Sequence, residues 1–247
     1  MAFILNTLGI EVNLNIIDGL STKEEVALAT RAIAGKEHSA GGETQAMELV
    51  AGAMKRTGAA YPGITCELYS GTSADLMDNF VRGFYDFLLE CELRSHVDMH
   101  TLRLPHTDTW GLLVRRDNPL AAKAAVMPED LLGQPLISSR QGVKVGVLGQ
   151  WLGDLAEEMD VRATYKLPLN AKFLVRRGIG RAFTYRGLFE ANELSDLAFV
   201  PLSPTLESTQ GLVWRKTLPT RQAQAFLDTL KGLCAERDFE NPPADAS

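Results

Sequence analysis

The sequence lacks most of the features that declare a function outright. Its 247 residues hold 3 cysteines, Cys66, Cys91 and Cys234. The count is odd, the spacing is wide and there is no C-x-x-C, a usage that fits a reducing compartment. Basic residues are in deficit: Lys and Arg number 25 against 31 Asp and Glu, for a net charge of −6. That balance argues against a chain that grips nucleic acid over a broad basic face. No apolar run approaches the roughly 18 residues of a membrane span. The opening "MAFILNTLGIEVNLN" has neither the basic start nor the long apolar core of an export signal. A cytoplasmic location without membrane contact is therefore expected. G-x-S-x-G, Walker A, G-x-G-x-x-G and H-E-x-x-H are all missing, and no cysteine has an obvious histidine partner. Repeats and low-complexity runs are missing too.

What is present is an ordinary globular composition, 45% hydrophobic and 23% charged, in a chain long enough for one large or two modest domains. "IEVNLNI" (10–16) alternates like a half-buried strand. Ser21 and Thr22 precede Glu24 and Glu25 at capping-box spacing, with Gly35 beyond, which predicts a helix at about 23–34. Met47, Val50, Ala51 and Met54 share one helical face, with Thr44 as N-cap and Gly58 as stop. "ITCELY" alternates like an edge strand. Thr72 and Asp75 begin a helix, and the apolar "FYDFLL" follows. This is a strand–helix–strand unit and implies parallel pairing. Further strands are predicted in "TWGLLVRR" (109–116), "PLISS", "VRATYKL", "IGRAFTY", "LAFVPL" and "GLVWRK". Helices are predicted in "VLGQWLGDLAEEM", in "AKFLVRRG" capped by Asn170, and in "LPTRQAQAFLDTLKGLCAER". The α/β pattern forms two clusters of units.

Two sets of residues are candidates for chemistry. "HVDMHTLRLPHTD" holds His96, His100 and His106 together with Asp98 and Asp108, acceptable ligands for a divalent metal. Yet "PHTD" breaks any helix, and the segment reads as an exposed connector. The second set is positional. In open α/β sheets, ligands bind beyond the carboxyl ends of the strands, where helix N-termini present free N–H groups. Thr44, Gly71, Thr72, Ser73, Ser138, Ser139 and Asn170 occupy such positions, and Arg140 can offer a charge-assisted bond to a carboxylate. Any one of them reads equally well as a helix cap. Spread over both clusters, they point to a shared cleft.

These stretches carry a resemblance. "GGETQAM", "YPGITCELYSGTSADL", "DTWGLLVRRDNPLA", "PEDLLGQPLISSRQ", "QWLGDL", "VRATYKLPLNAKFLVRRGIG" and "GLVWRK" follow one another as in the effector-binding domain of LysR-type transcriptional regulators, over about 41–235. That domain is related to type 2 periplasmic binding proteins. The resemblance implies an α/β fold of two subdomains with a small-molecule effector, here of anionic character, in a central cleft. It implies no catalytic residue, no cofactor and no metal. It also implies a homodimer. Its effector-contacting loops fall on Thr44, on Gly71, Thr72 and Ser73, on Ser138, Ser139 and Arg140, and on Asn170.

The expected division is an N-terminal segment (1–40), subdomain I (41–112 and 210–236), subdomain II (113–209) and a disordered tail (237–247). The family reads DNA through an N-terminal helix-turn-helix, and no such pattern precedes "GGET". The chain is accordingly not expected to bind operator DNA alone; "STKEEVALATRAIAG" resembles a remnant of the family's linker helix. "GKEHSAGG" is poor material for the family's first strand, and "IEVNLNI" is the candidate substitute. The competing classes are a periplasmic-type solute-binding protein, which calls for an export signal, and a metal-dependent enzyme built on His96, His100 and His106.

Overall fold

The computed structural model describes residues 2–6, 30–36, 43–62, 64–70, 73–139, 142–143, 146–189 and 195–240. The strand expected at 10–16 and the residues Gly71, Thr72 and Arg140 lie outside these. The chain divides into two compact units. Unit 1 comprises Met1–Lys36, Ala46–His106 and Gln210–Ser247, and unit 2 comprises Glu37–Gln45 and Thr107–Thr209.

Unit 1 is a mixed sheet with helices on both faces. Its strands are β1 (Ala2–Asn6), β2 (Thr30–Lys36), β3 (Thr65–Tyr69), β4 (Phe87–Glu90) and the later part of β10 (Glu207–Arg215), in the order β3-β1-β2-β4-β10. β2 runs parallel to β4, with Ile33 opposite Phe87 and Lys36 opposite Glu90. β1 is antiparallel to both of its neighbours, β2 and β3. The unit is therefore parallel through β3, β2 and β4, with β1 inserted against that direction. β3 lies at the sheet edge.

The buried run Phe87-Leu88-Leu89 of β4 explains the packing. Alternate side chains point to opposite faces, so Phe87 and Leu89 join one core and Leu88 another. On the first face lie α1 (Met47–Ala60) and α5 (Arg221–Glu240), which bring Leu49, Val50, Ala53, Phe226, Leu227 and Leu230. On the second lies α2 (Ser73–Val81), with Leu76 and Phe80. Arg215 closes that side. Its guanidinium donates to the carbonyls of Phe80 and Tyr85 at 2.7 and 2.6 Å and stands 5.2 Å from the Phe80 ring.

Unit 2 carries a second sheet. β5 (Met99–Arg115) enters it with its later residues and pairs antiparallel with β8 (Arg181–Tyr185) and β9 (Leu197–Pro201). β6 (Leu136–Ser139) lies parallel to β7 (Val161–Tyr165) and β8. Leu113, Ile137 and Ala182 share one face, covered by Ala171 and Val175 of α4 (Pro168–Arg176). A short α3 (Gly146–Leu152) buries Leu148 and Leu152. It tightens into a 3-10 turn at Gly153–Glu158.

Several expectations need correction. Residues 30–36 form a strand, not the end of a helix at 23–34, and it is "TRAIAGK" that pairs beside β4. Ala32 and Ala34 favour a helix, but intrinsic propensity is overridden here by pairing with the neighbouring strand. These residues also belong to unit 1 rather than to a separate segment ending at 40. The stretch 99–108 is strand, not connector, so the unit boundary falls inside β5, between 106 and 107, rather than at 112. α1 starts at Met47 with Ala46 as N-cap and runs through Gly58 to Ala60, so Thr44 does not cap it. The terminal helix continues to Glu240, so residues 237–240 are not tail.

Two tests follow from this packing. Phe226 is fully buried, with its ring 5.2 Å from that of Phe87. Phe226→Ala should cost about 3–5 kcal/mol in urea unfolding, the usual price of emptying an aromatic core position. Burial against the first core pushes the Cys66 thiol from its ordinary value of 9.0 up to about 11. The unfolded chain then loses that proton before the folded one does, so this contribution to stability falls as pH rises from 9 to 11. Cys66→Ala should flatten the decline of stability over that window.

Candidate functional site

In unit 2 the parallel strands β6, β7 and β8 end at Ser139, Tyr165 and Tyr185. Hydroxyl residues gather at two of these ends. Ser138 is completely buried and its Oγ has no hydrogen-bond partner among the described residues. Thr184, 2% exposed, leaves its Oγ1 equally unpartnered among them. Strand alternation sets the two on opposite faces of the sheet: Ser138 sides with Leu136, and Thr184 with Ala182. Ser139 is half-buried and shares the face of Ile137 and Thr184. A buried hydroxyl without a partner costs about 1–3 kcal/mol, so two of them at adjacent strand ends call for an explanation.

The same end of the sheet receives the segment before α1. Thr44 is buried, and its hydroxyl donates to the carboxylate of Asp108, itself buried on β5. Arg186 N–H donates to the Thr109 carbonyl at 2.8 Å, holding the turn after β8 beside that strand. Gly187 in this turn has φ +81°, and a Cβ there would stand 2.1 Å from Nε2 of Gln45. Glycine at this position is what allows residues 43–45 to lie against the strand end. Burial in this segment pushes the Glu43 carboxyl above its ordinary value. Nearby, the Trp110 indole donates to Ser208 Oγ at 2.8 Å and meets the Tyr185 ring edge-on at 4.4 Å.

The sequence-predicted residues separate accordingly. Thr44, Ser138 and Ser139 belong to unit 2 and stand at this end of its sheet, although the Thr44 hydroxyl is already engaged. Asn170 does not cap α4. Pro168 occupies the first turn and Leu167 is the N-cap, so Asn170 sits inside the helix, exposed, its N–H donating to the Leu167 carbonyl at 3.1 Å. The position suits the fixed φ of proline, which moves the helix start ahead of the asparagine. Ser73 opens α2 in unit 1. Sequence reasoning missed Thr184, and it read Asp108 as a candidate metal ligand rather than as the acceptor for Thr44. The hydroxyl after the apolar "AF" of "RAFTY" is a signal of the same kind as the serines after "PLI".

The histidines do not converge. Among the described residues no three His, Cys, Asp or Glu side chains form a metal-binding group. His96 Nε2 lies 2.9 Å from Oε2 of the buried Glu90, whereas the His100 ring stacks on Trp214 at 5.4 Å. Asp108 holds Thr44 instead. No helix among the described residues is long and apolar enough to cross a membrane.

The regulatory domain of MetR, a LysR family regulator from N. meningitidis, superposes with TM-score 0.62 at 17% identity, covering 85% of this chain and 95% of that one. The BenM effector-binding domain with its effector benzoate matches with TM-score 0.60 at 16% identity, over 85% of this chain and 95% of that one. The effector-binding domain of QuiR with shikimate matches with TM-score 0.62 at 14% identity, over 82% and 95%. No curated sequence matches the chain. The model of the LysR substrate binding domain matches residues 40–235, and the chain belongs to that family.

Two substitutions examine this site in the unliganded protein. Ser138→Ala removes a hydroxyl that bonds to none of the described residues, so the melting temperature should hold or rise. Thr44→Val deprives a buried carboxylate of a donor and should cost about 1–3 kcal/mol in chemical denaturation.

Proposed function

We propose that this chain is the sensor module of a LysR-type regulator, non-catalytic and cytoplasmic. Its ligand is a small anionic effector that reaches the carboxyl ends of β6 and β8. The observation that carries this reading is the buried Ser138 hydroxyl near the end of β6, unpartnered among the described residues. A ligand that bonds to it recovers a cost the empty protein bears, and it binds more tightly for doing so. The wider set of contacts comprises Gly71, Thr72, Ser73, Ser139, Arg140 and Asn170. Thr44 acts by fixing residues 43–45 beside the strand end rather than by touching the ligand. The anionic preference is supported by the chemistry of benzoate and shikimate, both carboxylates, in the related BenM and QuiR domains. The working unit is a homodimer, and DNA is contacted only through a helix-turn-helix domain.

A thermal-shift screen weighted to small carboxylates tests the reading. At one hundred times Kd, a true effector adds about 2.7 kcal/mol, or roughly 5–11 °C for a domain of this size. Ser138→Ala should weaken that shift at least several-fold. A broad screen that moves the melting temperature nowhere would remove the sensor assignment.

A further inference from the structure

Unit 1 contains a pocket of its own, of about 330 Å³, between the end of β10 and one side of α5. Its walls combine three elements. His100 comes from β5, Trp214 and Lys216 from the end of β10 and just beyond, and Leu227 and Lys231 from α5. Leu218, 94% exposed, stands at the rim. We propose that this pocket binds a small aromatic carboxylate. It is separate from the site at the ends of β6 and β8 and shares no residue with it.

Charge is the first argument. The protein as a whole is acidic, at −6. Yet among the described residues lining this pocket there are two lysines and a histidine and no carboxylate. The nearest acid in sequence to its lysine-bearing helix face, Asp228, accepts from the Gln224 amide at 2.7 Å and does not line the pocket. Lys216 spends one proton on the Val97 carbonyl at 2.7 Å, which fixes the ammonium in place. An ammonium has three donors, so the others remain to meet an anion. Two like charges lining one small space favour an anionic guest, and a carboxylate forms the stronger, charge-assisted type of hydrogen bond with them.

The second argument is the indole. Trp214 is half-buried, with the His100 ring 5.4 Å from its own and the Lys231 ammonium 5.6 Å from it. That stack holds the indole as a wall of fixed orientation beside the cations. Leu218 and Leu227 add apolar surface next to it. A planar ring seated on Trp214 and Leu218 buries apolar area that water now covers, while its acid group reaches Lys216 and Lys231. A pocket of this size accommodates a ligand of one or two rings.

The probe is 1-naphthoate, with the neutral 1-naphthamide as its control. The protein has 3 tryptophans, so its indole N–H resonances number three, and Trp214→Phe identifies the one of interest. Naphthoate should shift the Trp214 resonance and leave the other two in place, with the amide weaker by at least about tenfold. The variant Lys216→Gln/Lys231→Gln should lose that tenfold preference while the remaining spectrum shows a native fold. Ser138→Ala should bind naphthoate as the parent does, which separates failure here from failure of the effector site. Equal binding of acid and amide overturns the proposal. So does undiminished binding in the double variant, or a Trp214 signal unmoved at millimolar naphthoate.

Discussion

One strand organises the molecule. β5 runs unbroken for 17 residues, Met99–Arg115, and its two halves are buried in different places. Leu102 and Leu104 pack into the core of unit 1, and Leu113 packs into that of unit 2. The polar stretch between them includes Asp108, the acceptor for Thr44. A break anywhere in this strand would therefore disturb both cores and the seat of the segment that precedes α1. β10 makes the return passage, with Ser208 held by Trp110 in unit 2 and Leu212 in the core of unit 1. Each unit is thus assembled from pieces of chain far apart in sequence, and the two shared strands are what keep those pieces in register.

A protein interior normally satisfies its buried polar groups. Near the ends of β6 and β8, Ser138 and Thr184 have no hydrogen-bond partner among the described residues, while Thr44, a few residues from α1, donates to Asp108. The contrast separates two positions that look alike in sequence: a hydroxyl that holds a segment in place, and a hydroxyl buried without a bond among those residues. Glu90 shows a related economy, with one oxygen on His96 and the other buried without a partner.

The sequence was informative where one face of an element dominated. "PLISS", "VRATY" and "RAFTY" are short apolar strands with their ends marked, and all three lie where alternation places them. "TRAIAGK" was illegible because its neighbour in the sheet, β4, lies some fifty residues on, and alanines carry little strand signal of their own. The first half of β5 was misread because Met99, Leu102 and Leu104 do not alternate along it and Pro105 weighs against a strand. For the site, Ser138 was legible because two serines follow an apolar run. Thr184 was passed over because a single hydroxyl between two aromatics, Phe183 and Tyr185, reads as strand interior. Asn170 misled because asparagine before a helical stretch has the look of a cap, and Pro168, two residues earlier, had already begun the helix.

The insertion of β1 between β2 and β3 bears on how the chain acquires its structure during synthesis. Every strand of the second sheet is available once residue 209 has been made, and those strands lie within about a hundred consecutive residues. Unit 1 is different. Its first strand precedes the second sheet in the chain, yet Leu212, Phe226 and Leu230, which complete its core, follow it. Domains tend to form as units while the chain emerges. On this arrangement the second sheet has all its strands while the first still lacks the residues that close its core.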